Sequence, residues 1–207
     1  MEKSKIVELV RGFILGAESV DDNAGKIHWK RIDLACGFAW ENLLNAVYET
    51  QGDTGIEGYY VKHYYKQKLY KDTNKLKYAY PPVDIVPLPS NKGIWYVQPS
   101  GGGSSFVRFD RPTKSLFDSL PVGEATKDVF FRYGNVEGVV DKRIIVEDTN
   151  DGIRGGILEV DFGLVPTWES YGDNENITMP KSDFDTFVKL VATWFGKVYN
   201  DKTNNNQ

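Results

Sequence analysis

The chain has 207 residues, of which 41% are hydrophobic and 26% charged, the balance of an ordinary water-soluble protein large enough to bury a substantial core. Its net charge of −4 argues against a general duplex-DNA binder, whose Lys and Arg must neutralise phosphates, while leaving room for local basic patches. A single cysteine, Cys36, excludes an intrachain disulfide and a cysteine-rich zinc site, and fits a reducing compartment.

The charged start, Met1 to Lys5, is not followed by an apolar run with a small-residue cleavage site. No stretch reaches the roughly 18 consecutive apolar residues that span a bilayer. The expectation is a soluble protein made in a cytoplasm, without a membrane partner. Ile6, Leu9, Val10, Phe13 and Ile14 recur at helical spacing, so a short amphipathic helix is predicted, ending near Gly16. After a polar loop through Asp21, Asp22 and Asn23, a second helix is predicted from Ile32, Ala35, Cys36, Ala39, Leu43 and Val47. Cys36 sits on its apolar side and reads as a small packed hydrophobe. The nearest histidine in sequence, His28, lies roughly 12 Å along the same helix, too far to activate a thiolate.

From Gly58 the pattern changes to period two. Across Tyr59 to Tyr70, Val61, His63, Tyr65 and Leu69 fall on one face, and Tyr60, Lys62, Tyr64, Lys66, Lys68 and Tyr70 on the other. A polar turn at Asp72 to Lys75 and a returning strand to Tyr80 predict a hairpin. Interleaved Lys and Tyr are the residues that follow a single nucleic-acid strand by charge and stacking. Lysines also protect exposed edge strands, and the acidic total charge favours this edge or protein-interface reading. Pro81, Pro82, Pro87 and Pro89 exclude helix before a strand at Gly93 to Val97. Gly101 to Ser105 lacks the lysine and following helix of a phosphate loop and reads as a flexible loop before a strand-like Phe106 to Phe109. Further strands are predicted at Val129 to Tyr133, Val136 to Val146 and Gly156 to Leu164, with turns at Gly134-Asn135 and around Asn150-Asp151-Gly152.

The last helix is opened by Pro180 and Ser182, with Ser182 and Asp185 at capping-box spacing. Its stripe is Phe184, Phe187, Val188, Val191, Phe195 and Val198, widened by Trp194. The predicted class is α+β: an N-terminal helical pair, a central antiparallel β barrel or sandwich, and a C-terminal amphipathic helix. Residues 1–207 are read as one structural domain, with a helical part at 1–52, a β-rich part at 57–165, a helix at 180–200 and a flexible tail at 201–207. The tail and the Gly101 to Ser105 loop are polar and are expected to be ordered only by neighbouring chains.

Chemistry-bearing residues are few. His28 and His63 lack metal-ligand spacing. Glu159 and Asp161 share a strand face, as a hydrolase acting on sugars requires, although adjacent surface carboxylates are commoner. Asp148, Asn150 and Glu159 imitate a calcium loop, but Gly152 replaces a ligand and Ile153 occupies the position that needs glycine. Trp95, Tyr96 and Trp168 are the candidate platform of a carbohydrate-binding β module. No catalytic, cofactor-binding or metal residue is assigned, and the protein is read as a non-enzyme. Lysines gather between Lys62 and Lys77, whereas Glu159, Asp161, Glu169, Asp173, Glu175, Asp183 and Asp185 crowd the last third, a segregation that suits contacts between unlike surfaces of successive copies and equally fits uneven solvation of a single subunit.

Across nearly its whole length the chain resembles head-to-tail connector or ring proteins of crAss-like tailed bacteriophages that infect Bacteroidetes. The order of parts carries the resemblance: the Ile6 to Ile14 helix, an acidic loop, the Ile32 to Val47 helix, the Tyr/Lys region, Val83-Asp84-Ile85-Val86-Pro87-Leu88-Pro89 followed by Gly93-Ile94-Trp95-Tyr96-Val97, and a final helix after Met179-Pro180. The resemblance implies a virion structural protein in a ring of about twelve copies below the portal, around the DNA channel. It implies as partners further copies of the chain, the portal, neighbouring connector or tail proteins and non-specific contact with packaged DNA. It implies no cofactor.

Overall fold

The computed structural model of the chain describes residues 1–17, 29–71, 77–89, 92–101, 107–108, 129–135, 142–148 and 158–204. These form an α+β protein of four helices and two small, mainly antiparallel sheets. The chain divides into two compact units, Met1–Val61 with Pro166–Gln207, and Lys62–Val165. His28, the loop residues Gly102 to Ser105, Asn150 to Ile153 and the last three residues lie outside the described residues.

The first unit contains the helices α1 (Lys3–Ala17), α2 (Trp29–Gln51), α3 (Asp53–Glu57) and α4 (Lys181–Asn204), and a 3-10 turn at Trp168–Ser170. The start of α1 is fixed by backbone bonds: the amides of Lys3 and Ser4, which have no partner inside the helix, donate to the carbonyls of Glu175 and Asp173. On α1 the buried hydrophobic residues among those described are Ile6, Val10 and Ile14 at a four-residue spacing, and Lys3 at its start is buried as well. Leu9 and Phe13, predicted on the same apolar face, are 51% and 53% exposed. The burial predicted for α2 is found at Ile32, Ala35, Cys36, Ala39, Leu43 and Val47, joined by Trp40 and Leu44. Gly52, at φ 63°, separates α2 from α3. On α4, Phe187, Val188, Val191 and Phe195 are buried. Its first turn differs from the predicted capping box: Ser182 donates to the adjacent Asp183 carboxylate, and Asp183 also accepts from the Tyr60 hydroxyl. The helix continues through Asn204, past the predicted end at residue 200, with no Gly or Pro after Gly196 to stop it.

Trp40 is the centre of this unit. Its ring meets Tyr60 at 5.5 Å, Tyr171 at 5.9 Å, Trp168 at 6.0 Å and Phe187 at 6.5 Å, mostly edge to face. Its indole N–H donates to the Pro166 carbonyl at 3.0 Å, so no polar atom of the ring is left unpaired. Trp168 donates to Asp33 at 2.7 Å, and the buried Lys3 ammonium lies 3.7 Å from the same carboxylate oxygen and 5.3 Å from the Trp168 ring centre. Lys3 also donates to the Tyr171 carbonyl, which supplies a second partner for a charge removed from water.

The second unit holds β1 (Lys62–Lys68), β2 (Tyr70–Lys71), β3 (Lys77–Ala79), β4 (Ile94–Pro99), β5 (Val107–Arg108), β6 (Val129–Asn135), β7 (Lys142–Asp148) and β8 (Glu159–Leu164). One sheet has the order β1-β8-β4 and the other β2-β3-β7-β6-β5. Among the described residues neither sheet closes on itself, so the predicted barrel is not formed. The predicted long hairpin is also shortened. Among the described residues only Tyr70 and Lys71 pair with Tyr78 and Lys77, while β1 pairs with the distant β8. The predicted turn at Gly134-Asn135 is instead strand, opposite Arg143 and Lys142. Both sheets feed one hydrophobic cluster: Ile94, Val97, Val160, Phe162 and Leu164 from the first, Ala79, Ile144 and Val146 from the second. Tyr64, Leu69, Val83 and Ile85 pack against it.

Candidate functional site

The chain from Lys62 to Lys71 forms an edge of each sheet in turn, and a bulge sets which side chains it shows to solvent. The register with β8 shifts between Tyr64 and Gln67, and Lys66 adopts φ 54°. One extra residue exchanges the two faces of the strand beyond it. Before the bulge His63 and Tyr65 point outward and Tyr64 inward. After it Lys68 and Tyr70 point outward and Leu69 inward. The period-two expectation, which put Lys68 and Tyr70 on the face opposite His63 and Tyr65, is therefore corrected. The bulge gathers His63, Tyr65, Lys66, Lys68 and Tyr70 on one exposed side.

Asp161 holds this bulge. Its carboxylate accepts the Lys66 amide at 2.8 Å and the Ser100 hydroxyl, and the residue is only 7% exposed. Glu159, on the same strand face, is exposed opposite Lys68. The predicted carboxylate pair thus divides into a solvent-facing acid and a buried acid already used by two donors, which is not the geometry of paired acid/base groups.

Next along β8 comes Gly163, which pairs with His63 on one side and Tyr96 on the other. Directly opposed residues project from the same face, and a glycine between them leaves the space above the middle strand open. Across it His63 Nδ1 and the Tyr96 hydroxyl are 2.9 Å apart, with ring centres at 5.8 Å. Tyr65 stacks on His63 at 6.4 Å, giving a row of three near-parallel rings that ends on Tyr65, 63% exposed. Burial, together with the neighbouring Tyr65 and Asp161, raises the Tyr96 phenol above its ordinary pKa.

A second ring group lies on the other sheet. Tyr70 stacks on its cross-strand partner Tyr78 at 5.7 Å, and Tyr80 meets both edge-on at 5.9 and 5.6 Å. Arg143 places its guanidinium 4.5 Å from the Tyr78 ring and 5.1 Å from the Tyr80 ring, and the Lys68 ammonium is 5.6 Å from Tyr70. Tyr70 and Tyr80 remain 43% and 42% exposed.

The other candidate residues are placed as follows. Trp168 is fully buried in the first unit, so the carbohydrate platform of Trp95, Tyr96 and Trp168 does not exist as drawn; Trp95 is half-buried with Lys92 5.9 Å from its ring. No three His, Cys, Asp or Glu side chains converge among the described residues, and no described helix is long and apolar enough to cross a membrane. Cys36 has no exposed surface, and burial, with Asp33 nearby, pushes its thiol from 9.0 up to about 12. In the folded protein a thiol reagent at pH 8 is expected to leave Cys36 unmodified until the chain opens; stoichiometric labelling within minutes under native conditions contradicts this placement.

The same shift fixes the direction of alkaline instability. Cys36, Tyr60 and Tyr64 keep their protons in the folded state above their ordinary values, with Tyr64 at about 12, and burial is the first cause for each. The unfolded chain releases these protons first, beginning near the ordinary values of 9.0 and 10.0, so stability is full below about pH 9 and falls as pH rises toward 12. Lys62, lowered by burial, acts in the opposite sense. The expected result is a melting temperature that is level from about pH 7 to 8.5 and declines beyond pH 9, with the earliest part of the decline missing in Cys36→Ala.

Comparison with protein-family models, curated proteins and solved structures finds no match in any of the three.

Proposed function

We propose that the chain is a virion structural protein, a subunit of an oligomeric ring in the head-to-tail connector or tail of a tailed phage, positioned below the portal around the DNA channel. In this reading the central strands act as a two-layer sandwich, and the helical unit carries the contacts between copies. The observation that supports it is the apolar surface left on the helices. Leu34 and Phe38, one turn apart on α2, are 53% and 50% exposed, Phe38 stacks on Trp194 of α4 at 6.4 Å, and Leu9 with Phe13 repeats the pattern on α1. Scattered exposed leucines need no explanation, but aromatic and aliphatic pairs at one-turn spacing are the side chains that subunit interfaces bury. The order of sequence parts supplies the phage assignment.

Negative-stain imaging of the purified chain, alone and with its portal, tests the proposal. Closed rings with cyclic symmetry are expected. Particles that remain single subunits in both samples, or twofold dimers, oppose it.

A further inference from the structure

We infer that the outward side of Lys62–Lys71, with the rings that flank it, is a track for single-stranded nucleic acid. The inference goes beyond the ring reading and stands without it. The bulge at Lys66 places exposed rings and exposed lysines on the same side of one continuous segment: Tyr65 and His63 where it edges the first sheet, Tyr70 beside Tyr78 and Tyr80 where it edges the second. Lys66 and Lys68 accompany them, and Arg143 adds a guanidinium at Tyr78 and Tyr80. Among the described residues the acids on this side are Asp161, already occupied by the Lys66 amide and Ser100, and the exposed Glu159 opposite Lys68.

A flexible polyanion with flat faces satisfies both features, since phosphates meet the cations and unpaired bases stack on tyrosine. A duplex offers the same phosphates but keeps its base faces inside the stack. An acidic segment of a second copy offers charge without the flat faces. The exposed rings therefore favour the single strand over both.

The test is fluorescence anisotropy of the full chain with labelled oligo-dT and oligo-rU of about 30 nucleotides, a duplex of the same length, and polyphosphate as a polyanion without bases. This length exceeds the roughly 4–16 nucleotides that one stacking module engages. Binding to either single strand, tighter than to duplex or polyphosphate, is expected; the dT and rU arms distinguish DNA from RNA. Tyr65→Ala and Tyr70→Ala, on the two sheet edges, are each expected to weaken it at least about fivefold. Tyr65→Ala keeps the test sound if loss of the Tyr70–Tyr78 stack disturbs folding, because Tyr65, 63% exposed, ends its row. Lys66→Gln with Lys68→Gln is expected to reduce the salt slope by about 0.7 per lysine. No binding at low salt, equal or tighter binding of duplex or polyphosphate, or affinity unchanged by Tyr65→Ala would each overturn the inference.

Discussion

Trp40→Ala is expected to cost about 3–5 kcal/mol, the loss typical of removing a large aromatic ring from a packed core, and so to unfold much of the first unit at ordinary temperature. Four rings lie within 6.5 Å of this indole, and they come from α4, the 3-10 turn and two connecting segments. None of these can follow a methyl group inward without dragging its own element. Deletion also leaves the buried Pro166 carbonyl without its donor, a further cost of about 1–3 kcal/mol if water does not replace it. Trp40→Phe keeps most of the apolar area and loses only the hydrogen bond and part of the ring, so a smaller loss is expected. Urea unfolding followed by hydrogen exchange in α2 and α4 separates the two variants. Protection in both helices that survives Trp40→Ala contradicts this account of the core.

The second large effect is expected at Asp161. Asp161→Ala removes the charged acceptor of the Lys66 amide and the Ser100 hydroxyl, with an expected loss of about 2–3 kcal/mol and faster exchange at Lys66 and Gln67. A lysine at φ 54° pays a steric cost that glycine avoids, so Lys66→Gly is expected to leave stability unchanged or raise it by up to about 1 kcal/mol. Asp161→Asn retains an acceptor oxygen and lies between the two. If Asp161→Ala unfolds at the wild-type urea concentration, the carboxylate does not hold the bulge. A carboxylate serving general acid/base chemistry would instead be lost from activity while leaving stability and exchange near wild type.

The helices were legible because their spacing reports directly on burial: Ile6, Val10, Ile14 on α1, and the run from Ile32 to Val47 on α2. The same periodicity does not say which edge of an apolar stripe is covered, and Leu9 and Phe13 lie on the uncovered edge. The β region was legible where pairing is local, as in Tyr70 and Lys71 against Lys77 and Tyr78. It was not legible where a distant residue decides. Lysine is no signal for a left-handed bulge, and the carboxylate that stabilises Lys66 is 95 residues away. A one-residue slip then moved Lys68 and Tyr70 to the other face and created the exposed ring-and-lysine side. Gly163 was an available clue, since a glycine inside a strand often marks a close approach of its neighbours, here His63 and Tyr96. Trp168 gave no clue to its burial, because tryptophan suits a binding platform and a core equally well.

The claim that the helical unit carries contacts between copies is tested most directly by native mass spectrometry of the full chain beside Leu34→Glu/Phe38→Glu, each alone and with the portal. Both side chains are about half exposed within the subunit and Phe38→Glu gives up only the stack on Trp194, so the double variant is expected to fold with a melting temperature lowered by no more than a few degrees. The account predicts a single oligomer of three or more copies for the wild type and monomer for the variant. A wild-type chain that is monomeric or dimeric at every concentration both alone and with its portal, or a variant that assembles as the wild type does, would contradict it.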